Sequence, residues 1–312
     1  MAKGGDLKGR IKSVENTRKI TRTIEMVATS KMKRAQDRVI AARPYARALG
    51  DVISSLYTPE LAEAFPLLRQ PKHVKTAAVL LLTSNRGQAG AFNANLIKEA
   101  RATIARLEGE GTQVHVHVVG RKGVGYFKYV GRTMASSRAD ITDRPTADDA
   151  SSLVDAVMAE YVSGAIDALY VIYSNFKSAL SSPPVSERVL PVTPPAKTKT
   201  QKDYLLFPSA AEILTALMPL YVRNAVYRAL VENVAAEQSA QRTAMKTATD
   251  NAGEVLTVLR RNYNRTRKAT ITQDIAAIVG GHASHKRTIR NTCPTSLSCS
   301  TVTYPSTRTE SP

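Results

Sequence analysis

Cysteine, tryptophan and long apolar runs are scarce in this sequence. Its two cysteines, Cys293 and Cys299, lie near the C-terminus, so no disulfide framework is expected and a reducing compartment suits the chain. The longest apolar stretch, residues 76–83, is far shorter than the roughly 20 residues of a membrane-spanning helix. Without tryptophan and with 5% aromatic residues, recognition of nucleic acid mainly by base stacking is not expected.

The composition is that of a folded protein with a strong excess of positive charge. The 312 residues are 43% hydrophobic and 22% charged, which allows one large domain or two ordinary ones. Lys and Arg number 44 against 26 Asp and Glu, a net charge of +18. Such an excess favours a partner of opposite sign, either acidic protein loops or nucleic acid.

Both ends of the chain have apolar residues at helical spacings of three and four, over residues 1–57 and 210–281. The two helices would be about 75 Å and about 105 Å long at 1.5 Å per residue. Helices of this length cannot bury their own apolar faces, so we predict an antiparallel two-helix coiled coil in which the second helix overhangs the first. Residues 1–57 carry 13 basic and 5 acidic side chains, net +8, whereas residues 210–281 carry net +3.

Between these helices the pattern changes to strands that alternate with helices. Strands are predicted at 74–84, 113–119 and 168–173, and helices at 91–107, 122–129 and 146–164. This order indicates a central Rossmann-like α/β domain over residues 74–195 with a mainly parallel sheet. The prolines of residues 183–195 predict an irregular connection, and the polar composition of residues 282–312 predicts a disordered tail.

Few residue patterns indicate catalysis or metal binding. The phosphate-binding loop and the HExxH zinc motif are both absent, and Gly120–Gly125 does not fit the dinucleotide pattern. His115 and His117 share one strand face without a third ligand, which favours packing over a metal site. We therefore expect no cofactor and no metal. The segment Thr83–Asn93, which joins a strand to a helix, allows two hypotheses: a structural turn packed on the long helices, or a substrate site near Arg86.

Seven segments carry a more specific pattern. They are residues 11–37, 84–93, 119–124, 173–180, 203–209, 244–254 and 263–281. Together, and in this order, they resemble the gamma subunit of the bacterial F-type ATP synthase over about residues 3–281. The resemblance implies a non-catalytic rotor, whose paired helices turn inside a ring of three alpha and three beta subunits. It also implies contacts with the epsilon subunit and the c-ring, and a peripheral position on the cytoplasmic face of the inner membrane.

The resemblance also implies roles for individual residues. Coupling contacts with beta and alpha fall at Ile24, Glu25, Met26, Ser30, Lys31, Gln241, Arg242, Arg267, Thr272, Gln273 and Asp274. The foot that meets the c-ring and epsilon falls at Asp203, Tyr204 and Leu205. A structural turn contains Arg86, Gly87 and Gly90. A basic coiled-coil protein that binds nucleic acid is the alternative.

Three departures from the family pattern lie near the C-terminus. Asp274 replaces the usual glutamate, and Ala277 stands where an acidic residue is common, so contacts with the ring are expected to be weaker there. The chain also continues for about thirty residues beyond Gly281. This tail is either a genuine extension or the product of an altered reading frame.

Overall fold

The computed structural model describes residues 4–56, 65–69, 71, 73–179, 181–192 and 210–291; for residues 4, 66, 210, 211 and 281–291 it describes the backbone alone. Two units emerge from the contacts between residues. The larger unit is Glu15–Gly253, and the smaller unit holds the described residues 4–14 and 254–291.

Two long helices and three shorter ones form the helical part of the described chain. They are α1 (Gly4–Leu56), α2 (Phe92–Gly109), α3 (Arg121–Val130), α4 (Ala147–Val162) and α5 (Ala210–Asn291). Helix α4 begins with a reciprocal cap, in which the Thr146 hydroxyl accepts from the Asp149 N–H and the Asp149 carboxylate accepts from the Thr146 N–H. Among the described helices none has an apolar stretch long enough to cross a bilayer.

Five strands form one sheet in the order β3-β2-β1-β4-β5. They are β1 (Thr76–Leu82), β2 (Gln113–Val119), β3 (Ser136–Arg138), β4 (Ala168–Ser174) and β5 (Pro184–Leu190). The first four strands are mutually parallel, with Thr76 opposite Gln113 and Ala77 opposite Ala168. Strand β5 pairs antiparallel with β4 at the edge. The predicted α/β domain with a mainly parallel sheet is confirmed.

The central strand β1 is apolar on both faces because both faces are covered. Ala78, Leu80 and Leu82 point into a core with helix α4, whereas Val79 and Leu81 point into a second core with helix α2. Successive side chains of a strand alternate between its faces, so a strand buried on both sides is a continuous apolar run.

Within the larger unit, α1 and α5 pack as an antiparallel pair. Ile53 near the end of α1 shares a core with Met218 near the start of α5. Earlier in α1, the Thr21 hydroxyl oxygen accepts a 2.8 Å hydrogen bond from Thr249, which lies near the middle of α5. Residues of both helices also belong to the two cores of the sheet, so the helix pair and the α/β domain are packed together in this unit.

Two boundaries differ from the sequence-based predictions. Residues 184–190 form strand β5 where an irregular connection was predicted; a proline is tolerated there because Pro184 is the first residue of an edge strand. Helix α5 continues to Asn291, ten residues beyond the predicted end at Gly281. The polar composition of residues 282–291 was therefore wrongly taken as the beginning of a disordered tail.

Candidate functional site

The carboxyl ends of β1, β2 and β3 open into a crevice of about 480 Å³. The walls come from the turn after β1, the start of α3 and the segment before α4, and Glu237 of α5 lies opposite them. Ligands of α/β proteins commonly bind at this edge of the sheet. The crevice is therefore the place to test the hypothesis of a substrate site near Arg86.

The start of helix α3 is already occupied by the turn that follows β1. The N–H of Arg121 donates to Asn85 Oδ1 at 3.0 Å, and the N–H of Lys122 donates to the Ser84 carbonyl oxygen at 3.2 Å. The N–H of Gly123 donates to Thr83 Oγ1 at 3.0 Å. These are the groups that would bind a phosphate at a helix N-terminus. Because protein oxygens accept from all three, the geometry favours a structural turn over a nucleotide site.

Glycines of the Gly120–Gly125 segment allow the turn after β1 to lie in contact with the start of α3. Gly120 has φ +96°, a conformation that side-chain-bearing residues rarely adopt. A Cβ atom on Gly123 would lie 2.7 Å from Val118 Cγ1 and 2.8 Å from Thr83 Oγ1. The packing of the strand ends against α3 thus requires glycine at positions 120 and 123. The glycines of this segment are explained by this packing and do not indicate a nucleotide-binding site.

The turn containing Arg86, Gly87 and Gly90 is held by hydrogen bonds at its base. The N–H of Ser84 donates to Asn93 Oδ1 at 3.0 Å, and Ser84 Oγ donates to the Arg86 carbonyl oxygen at 2.6 Å. Gly90 has φ +57°, and a Cβ atom placed on it would lie 3.7 Å from the Cβ of Ala244 in α5. The Arg86 side chain is exposed. The turn therefore lies against the long C-terminal helix.

A group of charged side chains connects α1, α5 and the segment before α4. Lys31 Nζ lies 2.6 Å from Asp143 Oδ2. Burial, followed by the nearby negative charge of Asp143, raises the pKa of the Glu237 carboxyl to about 7, although the cationic Lys31 and Arg86 act in the opposite direction. Glu237 therefore titrates near neutral pH. The sequence patterns gave no indication of this group, because its members come from four separate segments.

The five candidate coupling residues of α1 differ in their exposure. Met26 is 56% exposed and Ser30 is also exposed, so both are available to a partner. Ile24 and Glu25 are half-buried, and Glu25 accepts from Arg22 at 3.5 Å. Lys31 faces Asp143 of the same chain. Met26 and Ser30 are thus the most exposed members of this set.

The candidate coupling residues of α5 fall in both units. Gln241 and Arg242 are half-buried in the larger unit. Four others are exposed in the smaller unit: Arg267, Thr272, Gln273 and Asp274. Beside them runs an exposed apolar stripe, which consists of Ile271, Ile275, Ile278 and Val279 and is 50–73% exposed. Large aliphatic side chains at helical spacing without cover are typical of a protein interface.

Two predicted features concern other parts of the chain. The foot residues Asp203, Tyr204 and Leu205 lie outside the described residues.

His117 is buried, which lowers its pKa, and its Nδ1 lies 2.8 Å from Ser136 Oγ. Over the described ranges, no three His, Cys, Asp or Glu side chains converge as metal ligands would.

Comparison with known proteins identifies the family. Residues 4–284 match the family described as ATP synthase. An ATP synthase gamma chain from Gemmatimonas aurantiaca is 65% identical over 284 residues, which are 90% of this chain and 98% of that protein. An ATP synthase gamma chain from Streptomyces coelicolor is 41% identical over 285 residues, 88% of this chain and 93% of that protein.

Solved structures show the same fold at low sequence identity. One is a chain of the OSCP, F1 and c-ring assembly of the Euglena gracilis mitochondrial ATP synthase, with a TM-score of 0.66, 16% identity and coverage of 95% of this chain and 99% of that chain. Another belongs to the central stalk and c-ring of the Tetrahymena thermophila enzyme, with a TM-score of 0.59, 22% identity and coverage of 73% and 99%.

The fold defines a class of protein in which the α/β domain is inserted in the chain between an N-terminal and a C-terminal long helix. The family match and the identity to gamma chains go further: the chain belongs to the F-type ATP synthase gamma-chain family, as the seven segments predict. Gamma chains are non-catalytic subunits of the complex. The family assignment does not support the nucleic-acid-binding alternative.

Proposed function

We propose that the chain is the central-stalk rotor subunit of a proton-translocating F-type ATP synthase. In this function, rotation of the c-ring turns the subunit, and its asymmetric surface drives the three beta subunits in sequence through the states of ATP synthesis. The observation that carries the proposal is the match to gamma chains over residues 4–284. A rotor can bias its neighbours only through contacts that differ between their states, so its exposed surfaces are the functional ones.

The contacts with alpha and beta are assigned to exposed parts of the two long helices. On α1, Met26 and Ser30 are the most exposed members of the candidate set. On α5, the apolar stripe beside Asp274 is exposed to water. A partner that covers the stripe would remove this apolar surface from water, which favours binding. The Lys31 side chain is 39% exposed and also pairs with Asp143, so an acidic group of a partner would compete with this ion pair.

The contacts with epsilon and the c-ring are assigned to Asp203, Tyr204 and Leu205 from the resemblance to the family. The subunit would sit peripherally at the cytoplasmic face of the bacterial inner membrane, as part of the membrane-bound complex. The net charge of +18 suits neighbours with acidic contact loops.

Reconstitution tests this function directly. The alpha, beta, delta and epsilon subunits are assembled with the membrane sector in proteoliposomes, with and without this chain, and ATP synthesis is driven by a proton gradient. We expect synthesis only when the chain is present, and no ATP hydrolysis by the chain alone. Synthesis at the same rate without the chain would contradict the proposal. An affinity purification of the tagged chain should also retain alpha and beta.

A further inference from the structure

A second, smaller pocket of about 270 Å³ lies between α1, α5 and the segment that precedes α4. Helix α1 contributes Lys31, Arg34 and Arg38, which share one helix face at spacings of three and four. The segment before α4 contributes Asp143 and Arg144. All of these residues belong to the larger unit, so the pocket is a feature of one packed body.

The pocket has an excess of positive charge that the chain does not neutralise. Four of its side chains are cationic, and Asp143 is its one carboxylate, which pairs with Lys31. Among the described residues, no carboxylate lies within 4.0 Å of the guanidinium groups of Arg34, Arg38 or Arg144. Three guanidinium groups around one small cavity are a common arrangement for binding the oxygens of a phosphate.

Gln238 of α5 supplies a second, independent observation. It lines the same pocket and is only 2% exposed. Its Oε1 is buried without a hydrogen-bond partner in the described structure. A buried acceptor without a donor is unfavourable, so a ligand that brings a hydroxyl group into the pocket would satisfy it.

We propose that this pocket binds inorganic phosphate, which retains a P–OH group at neutral pH. A phosphomonoester, with a second pKa of about 6, has largely lost its own. The guanidinium groups of Arg34, Arg38 and Arg144 would donate to its charged oxygens. Its P–OH group would donate to Gln238 Oε1. The bound phosphate would connect α1 to the segment before α4 and so strengthen the contact between the long helices and the α/β domain. The proposed phosphate site does not depend on the proposed function, although Lys31 belongs both to the lining of the pocket and to the candidate coupling residues.

The acceptor makes the site selective between two anions of similar size and charge. Phosphate carries a proton at neutral pH, whereas sulfate carries none and can offer Gln238 no donor. Sulfate would bring its own acceptor oxygens against the unpartnered Oε1. We therefore expect phosphate to bind at least about tenfold more tightly than sulfate, since a lost hydrogen bond that leaves a buried group unpaired has an effect of this size.

The test is isothermal titration of the purified full chain with sodium phosphate, with sodium sulfate and with ADP, at constant ionic strength and pH 7.5. Arg144→Gln is the pocket variant, and Arg101→Gln, an exposed arginine of α2, is the matched control for the charge change. We expect Arg144→Gln to weaken phosphate binding about tenfold or more and Arg101→Gln to leave it unchanged. ADP, whose phosphate groups retain almost no P–OH at this pH, should bind more weakly than inorganic phosphate, and equally tight ADP binding would contradict the role of the hydroxyl.

Gln238→Leu keeps the volume of the side chain and removes the unpartnered oxygen. The free variant should be at least as stable as the wild type, so a loss of phosphate binding cannot be attributed to unfolding. We expect the preference for phosphate over sulfate to disappear in this variant. The proposal is overturned if phosphate does not bind, if sulfate binds equally well, or if the Arg101→Gln control loses binding to the same extent as Arg144→Gln.

Discussion

A Cβ atom on Gly120 would lie 2.2 Å from the carbonyl oxygen of Thr83. Each of the two residues directly follows one of the neighbouring strands β1 and β2, and the Thr83 N–H donates to the carbonyl of Val119, the residue before Gly120. No side chain can be accommodated here without moving the backbone of β1 or α3. The start of α3 depends on this contact, because Thr83 Oγ1 also accepts from Gly123.

Gly120→Ala should therefore destabilise the chain strongly. Gly131→Ala is the matched control, since Gly131 also has a positive φ, +73°, but has no atom within 4 Å of its Cβ position. The control should lose about 1–2 kcal/mol from backbone strain alone. Gly120→Ala should lose more than about 3 kcal/mol, because the steric clash adds to the strain. Chemical denaturation of both variants measures the difference, and equal losses would contradict the role assigned to Thr83.

The second prediction concerns the buried hydroxyl groups between α1 and α5. Thr249 Oγ1 lies 2.8 Å from Thr21 Oγ1 and 2.8 Å from the Met245 carbonyl oxygen. Thr21→Val should lower the free energy of unfolding by up to about 1 kcal/mol, because it removes one of the two hydrogen-bond partners of Thr249 Oγ1 and leaves the Met245 carbonyl as the other. The double variant Thr21→Val, Thr249→Val should be no less stable than the single one.

A double-mutant cycle over these two positions gives their interaction energy. We expect about 0.5–1.5 kcal/mol of coupling between the two threonines. Strictly additive losses would show that the hydroxyl groups do not interact in solution. The result tests the register of the antiparallel helix pair within the larger unit.

The sequence predicted those elements whose pattern is local. Strands β1 and β4 were predicted because burial on both faces makes them apolar runs, and β2 was predicted from its alternation of valine and histidine. The terminal helices were predicted because apolar spacing of three and four persists over many turns. Strand β3 was missed because Ser136–Arg138 has three polar residues and is identified only by its pairing with β2. Strand β5 was missed because its prolines resemble those of a loop, whereas an edge position tolerates them.

The candidate sites divide in a similar way. The proposed coupling residues could be named from the sequence because nearly all of them lie in contiguous family motifs, and Gln241 and Arg242 lie just before one. The basic pocket and Glu237 could not, because they bring together residues 31–38, 143–144 and 234–238, which are far apart in the chain. A buried oxygen without a donor, as in Gln238, depends on the positions of all its neighbours. Only the folded structure identifies such a group.

The third prediction is a pH dependence that originates at Glu237. Its pKa of about 7 in the folded chain is well above the ordinary value of a glutamate, so the folded state holds a proton that the unfolded state has lost. A raised carboxyl pKa contributes stability that is fully present below about pH 4.5 and is lost as the pH rises through about 7. The contribution is at most about 3 kcal/mol.

Glu237→Gln should remove this dependence, because the amide cannot ionise. The variant should be more stable than the wild type at pH 8 and similar to it at pH 5. Lys31, Asp143 and Arg86 face the carboxyl from α1, the segment before α4 and the turn after β1, and they remain unchanged in the variant. Thermal unfolding at the two pH values is the measurement. Asp250→Asn, an exposed carboxylate on the same helix, should show no such difference.

The fourth prediction concerns the exposed apolar stripe of α5. Ile275 is 57% exposed, so Ile275→Asp should leave the thermal unfolding of the isolated chain nearly unchanged. In the assembled complex the same change should weaken the contact with the alpha and beta ring by about 1.5–3 kcal/mol, which is the free energy gained by burying an isoleucine side chain. This corresponds to a loss of about tenfold or more in the retention of the ring. Proton pumping driven by ATP should fall relative to ATP hydrolysis.

Ala269→Asp is the control for Ile275→Asp, since Ala269 is exposed and the change introduces the same charge on the side of α5 away from the stripe. It should leave both retention and pumping near the wild-type level, because position 269 is outside the stripe. If Ala269→Asp were as harmful as Ile275→Asp, the effect would come from negative charge anywhere on this part of the helix. If neither change had an effect, the stripe would not contact the ring, and the surface assigned to coupling would have to lie elsewhere on the chain.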